Sequence, residues 1–356
     1  MPRKVELPTT TPRMICGSCS AFRKGQNRTN FATADLHEIS GRFTSDITIV
    51  TAQTKFRGVS PSNRKLSLSL TMPAIPSVID AHHHLWCYSA IEYEWIDDRM
   101  AGLRRDFLPA DFIGELAAAG IDGAVTVQAR QTLEETRWLL ELAATHKEIP
   151  GVVGWAPIAS PHFENSLNEL ATNSKLVGLR HVVQAEPQGF LDNEDFNRGI
   201  RTMHGTGLVY DLLIVEHQLA EAIRFVDRHP QQVFVLDHIG KPKIAAGELE
   251  PWRTLIHELS KRSNVSCKIS GMVTEDSWSH WSIESLRPYL DSVVSAFGAD
   301  RLLAGSDWPV CLVATTYAQW WQLLRDYFAP FSDDERANIF GATAARTYNL
   351  NTGRPE

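Results

Sequence analysis

The sequence predicts a single closed barrel of eight parallel strands with helices packed outside them, a (β/α)8 TIM barrel. Three observations point there. From residue 78 onward, short β-branched runs alternate with longer amphipathic segments. Several of these runs are continuously apolar, as parallel strands buried on both faces require. Ionisable residues also recur just after the runs, at the strand ends where such barrels carry their chemistry. A barrel domain takes about 250–285 residues, and a chain of 356 residues with 43% apolar content can supply its core.

The strands are expected at 78–81, 122–127, 151–155, 177–180, 208–213, 233–237, 265–269 and 301–305, with Val233-Phe234-Val235-Leu236 the clearest apolar run. A helix over 110–119 is rich in Ala and Leu and stops at Gly120. The next, Glu134 to His146, offers Trp138, Leu139, Leu142 and Ala143 as an inner face. Further helices are expected at 193–204, 217–229, 252–262, 284–297 and 315–328. The last covers 333–347, with Ser332 as N-cap and Glu335 at the capping-box position. A doubly wound sheet is the competing architecture, but no Gly-x-Gly-x-x-Gly follows any strand. A long first loop, from about 85 to 109, carries Trp86, Tyr88, Tyr93, Trp95, Arg104 and Arg105.

Residues 1–72 read differently. They are rich in Ser, Thr and Arg and lack a sustained period, so a disordered basic extension is expected there, with the barrel at 73–350. Their composition suits a transit peptide; the alternative is an upstream-extended start, with Met72 the true beginning. The extension carries a charge of +7 and the remainder −14. An acidic body argues against nucleic acid or an anionic membrane as partner. No run reaches the roughly 18 apolar residues of a membrane helix. Cys16 and Cys19 form a lone Cys-x-x-Cys, a weak zinc or redox signal, and the other three cysteines are dispersed, which suits a reducing cytoplasmic setting. The expected partner is a small-molecule substrate, with homo-oligomerisation the only macromolecular association left open.

The strand ends hold the candidate chemistry. The first ends in Asp80-Ala81-His82-His83-His84. Alternation along a strand points His82 and His84 to one side and His83 elsewhere, so the outer pair can share a divalent metal. The fourth ends in Arg180-His181, the sixth in Asp237-His238, the seventh in Lys268-Ile269-Ser270-Gly271 and the eighth in Gly305-Ser306-Asp307-Trp308-Pro309. Each has a plainer reading beside the functional one. Asp80 and Asp237 can simply bond backbone or orient a histidine, and Arg180 or Lys268 can be a buried ion-pair partner.

Taken together, Asp80-Ala81-His82-His83-His84-Leu85-Trp86, Asp106-Phe107-Leu108-Pro109, Gly178-Leu179-Arg180-His181, Leu236-Asp237-His238-Ile239-Gly240-Lys241-Pro242 and Gly305-Ser306-Asp307-Trp308-Pro309 resemble the amidohydrolase superfamily. Within it they resemble the amidohydrolase-2 group and its branch of L-fuconolactonases and L-rhamnonolactonases. The resemblance spans about 75–350 and implies a (β/α)8 barrel that hydrolyses a sugar-acid lactone with an activated water. It implies that His82 and His84 match the first-strand metal pair, His238 the sixth-strand histidine, and Asp307 the aspartate that takes the water proton. Metal ligands would then be His82, His84 and Asp307, holding one divalent zinc or manganese ion, with a metal-independent enzyme as the alternative. Where classical binuclear members carry a fourth-strand lysine or glutamate and a fifth-strand histidine, this chain has Arg180-His181 and Tyr210-Asp211, so a binuclear centre is not expected. Arg180, His181 and Lys268 are the expected substrate anchors, Trp86 and Trp308 adjoin the site, and the loop from Trp86 to Arg105 is expected to cover it. Two competing functions stand beside this one: metal-dependent decarboxylation of an aromatic acid, and a barrel that binds without catalysis.

Overall fold

The computed structural model describes residues 78–350. The readings of residues 1–72, including the boundary at 72/73, lie outside the described residues. Eight parallel strands run in the order β1 to β8: Ile79–His83, Gly123–Val127, Gly151–Gly154, Leu176–His181, Val209–Leu212, Phe234–Leu236, Val265–Ile269 and Leu302–Ala304. The ring closes beyond β8, where His83 bridges to Trp308 in parallel, His84 N donates to Trp308 O at 2.6 Å, and Asp307 N donates to His82 O at 2.8 Å. Closure therefore runs through the very residues singled out at the first and eighth strand ends.

The outer helices are α1 Pro109–Ala119, α2 Leu133–Thr145, α3 Phe163–Leu170, α4 Glu194–Met203, α5 Leu219–Arg228, α6 Trp252–Leu259, α7 Ile283–Phe297 and α8 Tyr317–Phe328. Gly120 ends α1 in the left-handed conformation at φ 63°, as expected of a C-cap glycine. In α2, Trp138, Leu139, Leu140 and Ala143 are buried, so Leu140 takes the inward place expected for Leu142. The expected 333–347 helix is a composite of α9 Asp333–Ala337, a π turn at Asn338–Ala342 and α10 Thr343–Thr347. Its capping box is as read from the sequence: Ser332 Oγ accepts from Glu335 N, and Glu335 Oε2 accepts from Ser332 N at 2.9 Å.

This last segment does more than cover a flank. Ala344, Ala345 and Tyr348 pack with Ile79, Ala81, Val125, Val153, Val177, Val209, Val235 and Leu303 in one buried cluster. The interior of the barrel is thus apolar near the amino ends of its strands and polar toward their carboxyl ends, which confines the chemistry to one face.

Candidate active site

His82 and His84 face each other as the alternation predicts, with their Nε2 atoms 3.2 Å apart. His83 turns outward: its Nδ1 meets Val125 O at 3.1 Å, its Nε2 lies 3.0 Å from Thr126 Oγ1, and its ring stacks on Phe112 of α1 at 4.0 Å. From β8, Asp307 brings Oδ1 to 3.3 Å from His84 Nε2 and 3.8 Å from His82 Nε2. His238 Nε2 approaches the same oxygen at 4.0 Å. Burial lowers His238 to about 4 and holds His82 well below the ordinary imidazole value. Burial alone would raise Asp307, but His238 and the hydrogen bond from His84 outweigh it and keep the carboxyl below its usual range.

Backbone constraint aims these groups. Asp307 adopts φ 59°, and His238, Ile239, Gly240 and Lys241 form a left-handed run at φ 51°, 50°, 72° and 47°. Three of those four carry a Cβ, a conformation costing about 1–2 kcal/mol per residue, so the surrounding structure must enforce it. Trp252 Nε1 does so by donating to Ile239 O at 2.8 Å, and His238 Nδ1 meets Ser270 Oγ at 2.9 Å. Gly271, at φ 63°, allows the close packing: a Cβ there would lie 2.6 Å from His238 Nδ1. Asp80 fastens the two ends of the ring, accepting from His82 N at 3.0 Å, Ser306 N at 2.9 Å, Ser306 Oγ at 2.5 Å and Tyr317 OH at 3.1 Å.

Beneath this ring lies a buried ion network. Lys268 Nζ is 2.5 Å from Asp211 Oδ2, 3.0 Å from Asp237 Oδ1 and 3.2 Å from His82 Nδ1. Tyr348 OH donates to Asp211 at 2.8 Å. Arg180 Nη1 donates to Asp237 Oδ2 at 2.9 Å and lies 3.3 Å from His82 Nε2, while its Nη2 donates to Gln128 O. Burial opposes ionisation of Asp237, yet Lys268, His82 and Arg180 hold it well below the usual carboxylate range. Asp237 Oδ1 also lies 3.3 Å from His82 Nδ1, so this carboxylate orients His82.

A cavity of about 500 Å³ opens above the ring. His84, Arg180, His238 and Asp307 reach it from below, and Arg130, Lys241, Gln184 and Glu275 from the sides. The long first loop covers it as expected, contributing Ile91, Glu92, Glu94, Trp95 and Met100. Across the mouth, Arg99 sits 5.5 Å over the Trp278 ring and joins this loop to the one after β7.

Four of the expected substrate contacts fall elsewhere. Lys268 is fully buried in the ion network, because an ammonium between two carboxylates inside the barrel is held there by both. His181 pairs with Glu186 at 2.8 Å and stacks on Phe190. Trp86 is enclosed by Tyr93, Trp95 and Phe107 and donates to Arg105 O at 2.9 Å. Trp308 stacks on Phe112 and meets Phe107 edge-on. These are packing positions, and only Arg180 of the expected anchors borders the cavity. Conversely, Arg130, Lys241 and Glu275 were not foreseen. Arg130 follows β2 in Gln128-Ala129-Arg130-Gln131, a strand end that the same rule would have flagged, and Lys241 lies inside a motif already singled out. Glu275 lies further along the loop after β7 and carries no local signal.

The cavity wall is fixed by Glu135. It accepts from Ala129 N at 3.0 Å, from Arg130 N at 2.8 Å and from Tyr93 OH at 3.2 Å, tying the first loop to the end of β2. Burial raises this carboxyl to about 7, against the opposing pull of the Arg130 backbone and charge. An acid with a raised folded pKa binds more protons folded than unfolded, so stability must fall as pH rises from about 4.5 to about 7, by up to ~3 kcal/mol. Urea midpoints at pH 5 and pH 8 should show this drop in the wild type and a flatter profile in Glu135→Gln; identical slopes would refute the assignment.

The donor set also suits a cation. His84 Nδ1 faces Val127 O at 2.8 Å while its Nε2 faces Asp307. A neutral imidazole can satisfy only one of these acceptors; the other needs a proton or a metal ion between Nε2 and the carboxylate. Among the described residues, His82, His238 and Asp307 place one ligand atom each within 4.8 Å of one another, a mixed nitrogen and oxygen set of the kind that binds zinc. His84 adjoins that group, so the geometry brings in His238 beside the expected ligands His82, His84 and Asp307.

The barrel has relatives among known proteins. An amidohydrolase family profile matches residues 79–350. An L-fucono-1,5-lactonase of Burkholderia multivorans is 38% identical over 76% of this chain and 96% of its own length. Another, from Burkholderia ambifaria, is 33% identical over 76% and 95%. A crystal structure of an amidohydrolase from Burkholderia multivorans with bound zinc superimposes with a TM-score of 0.73 at 38% identity, covering 77% of this chain and 99% of that one.

Proposed function

The chain belongs to the amidohydrolase family, and on that premise we propose that it opens the lactone ring of a sugar acid to the free hydroxy acid. The observation that carries this reading is the convergence of Asp307, His84, His238 and Arg180 on the floor of one cavity large enough for a single sugar ring. Its likeness to L-fucono-1,5-lactonases over nearly their whole length supports the substrate class.

Asp307, ionised and held against the imidazoles, is the base: its free oxygen takes a proton from water as the water oxygen bonds to the lactone carbonyl carbon. His82, His238 and Asp307, with His84 beside them, would hold a zinc or manganese ion, which supplies a polarised carbonyl and a more acidic water. Arg180 adds positive charge at the same floor, where the oxyanion develops. Collapse of the tetrahedral species breaks the ring C–O bond, and the leaving oxygen takes up the proton. His238, neutral near pH 7 and fixed by Ser270, orients the water or hands on that proton. Asp237 and Lys268 touch no substrate in this scheme; they set the position of His82. The reading is completed by a cytoplasmic enzyme with neither nucleic-acid nor membrane partner, its homo-oligomerisation left open. It is supported by the acidic charge of the chain beyond residue 72, and among the described residues no helix is long and apolar enough to cross a membrane.

Proton release on a panel of aldonolactones, with and without a chelator, tests the reading. We expect turnover that falls on chelation and returns with added zinc. Turnover that resists the chelator would assign the positive charge to Arg180 in place of a metal. A silent panel, with carbon dioxide released from an aromatic acid instead, would replace the lactonase by a decarboxylase.

A further inference from the structure

The catalytic scheme gives no task to Lys241 and Glu275. Lys241 Nζ and Glu275 Oε1 stand 3.5 Å apart, and both border the cavity. Their side chains are 19% and 26% exposed, whereas those of His238 and Asp307 are 4% and 6%. The pair therefore stands between the sealed floor and the open mouth. As a stabilising ion pair it is poorly made. Charge-assisted hydrogen bonds close to about 2.7–2.9 Å, and partly exposed pairs contribute about 0–1 kcal/mol.

What is well made is its attachment. Lys241 ends the left-handed run that begins at His238, and its N donates to His238 O at 2.9 Å. Glu275 hangs from the turn at Gly271, the glycine that lets this loop lie against His238. Glu275 N donates to Met272 O at 3.1 Å, and its carbonyl accepts from Ala245 N at 3.0 Å. Two strained or glycine-dependent turns thus tie an ammonium and a carboxylate to the frame that carries His238. Strain of this kind persists where position matters. An ammonium donates only and a carboxylate accepts only, while a hydroxyl does both. A donor and an acceptor held side by side, but not closed on each other, match the ring hydroxyls of a polyol.

Building on the lactonase reading, we propose that Lys241 and Glu275 are the specificity-determining pair that engages the ring hydroxyls of a polyhydroxylated lactone, Lys241 donating and Glu275 accepting, and so sets the carbonyl over Asp307. The test compares the wild type, Lys241→Met and Glu275→Gln on an aldono-1,5-lactone and on δ-valerolactone, which has no ring hydroxyls. The ratio of kcat/KM for the first over the second should fall about 10- to 100-fold in each variant, the span expected for one lost hydrogen bond to a charged group, with most of the loss in KM. Parallel losses on both lactones, or a ratio within about threefold of the wild type, overturn the proposal. Calorimetry with the open aldonate separates the proposal from the reading it builds on. If the wild type opens neither lactone, the lactonase reading falls. The pair still stands if the aldonate binds and Lys241→Met weakens it at least about tenfold, and it falls if binding is unchanged or absent.

Discussion

Asp307→Asn should lower kcat for lactone opening by about 10²–10⁴-fold while leaving KM within a few-fold, because an amide cannot take the water proton but keeps the shape and one acceptor oxygen of the carboxylate. Asparagine is the clean substitution here for a backbone reason as well. Asp307 sits at φ 59°, a left-handed conformation that asparagine tolerates better than most residues with a Cβ. The Asp307 N–H to His82 O bond, which helps close the ring between β8 and β1, is therefore retained. Metal content then separates two roles that kinetics alone would merge. A variant that keeps its metal and loses kcat shows Asp307 acting as the base; one that loses both shows it acting as a ligand. Turnover within about tenfold of the wild type would remove Asp307 from the mechanism.

The positions of the strands were legible because a parallel strand covered on both faces must be apolar, and Phe234-Val235-Leu236 is such a run, whereas Val233, expected within it, is exposed just ahead of β6. Helix α3 was not foreseen. Phe163, Leu167 and Leu170 do mark one buried face, but Phe163–Leu170 spans little more than two turns, too short for periodicity to stand out. Seven of the eight expected helices match outer helices, and the eighth is the composite segment from Asp333 to Thr347, which closes the interior from below.

At the site, the direction of side chains was legible and their depth was not. Alternation correctly separated His82 and His84 from His83. It also places Lys268 opposite in sense to Cys267 and Ile269, but it cannot say what stands across the barrel at the same height. The register does: Leu236 pairs with Cys267, which brings Asp237 level with Lys268, and Asp211 on β5 completes the contact. Cavity walls built from loops depend on tertiary packing, and for that reason Trp86 and Trp308, adjacent in sequence to site residues, are packing groups, while Glu275, in the loop after β7 and part of no singled-out motif, faces the cavity.

Lys268→Met should lower the melting temperature by about 10 °C, since removing one partner of a buried ion pair costs about 3–5 kcal/mol and each kcal/mol moves a domain of this size by about 2–4 °C. Methionine fills most of the lysine volume, so the loss is electrostatic rather than a cavity effect. Two carboxylates, Asp211 and Asp237, would then stand close together with Arg180 as the remaining cation beside them, and Arg180 contacts Asp237 but not Asp211. That asymmetry makes a second variant informative. In Lys268→Met with Asp211→Asn, the unpaired charge is gone, the amide still accepts from Tyr348 OH, and Asp237 keeps Arg180. The double variant should recover at least half of the lost melting temperature. A lysine that bound substrate would behave in the opposite way: its removal would raise KM and spare stability, and Asp211→Asn would rescue nothing. A melting temperature for Lys268→Met within about 3 °C of the wild type would mean that the network beneath the site does not bear on stability as argued.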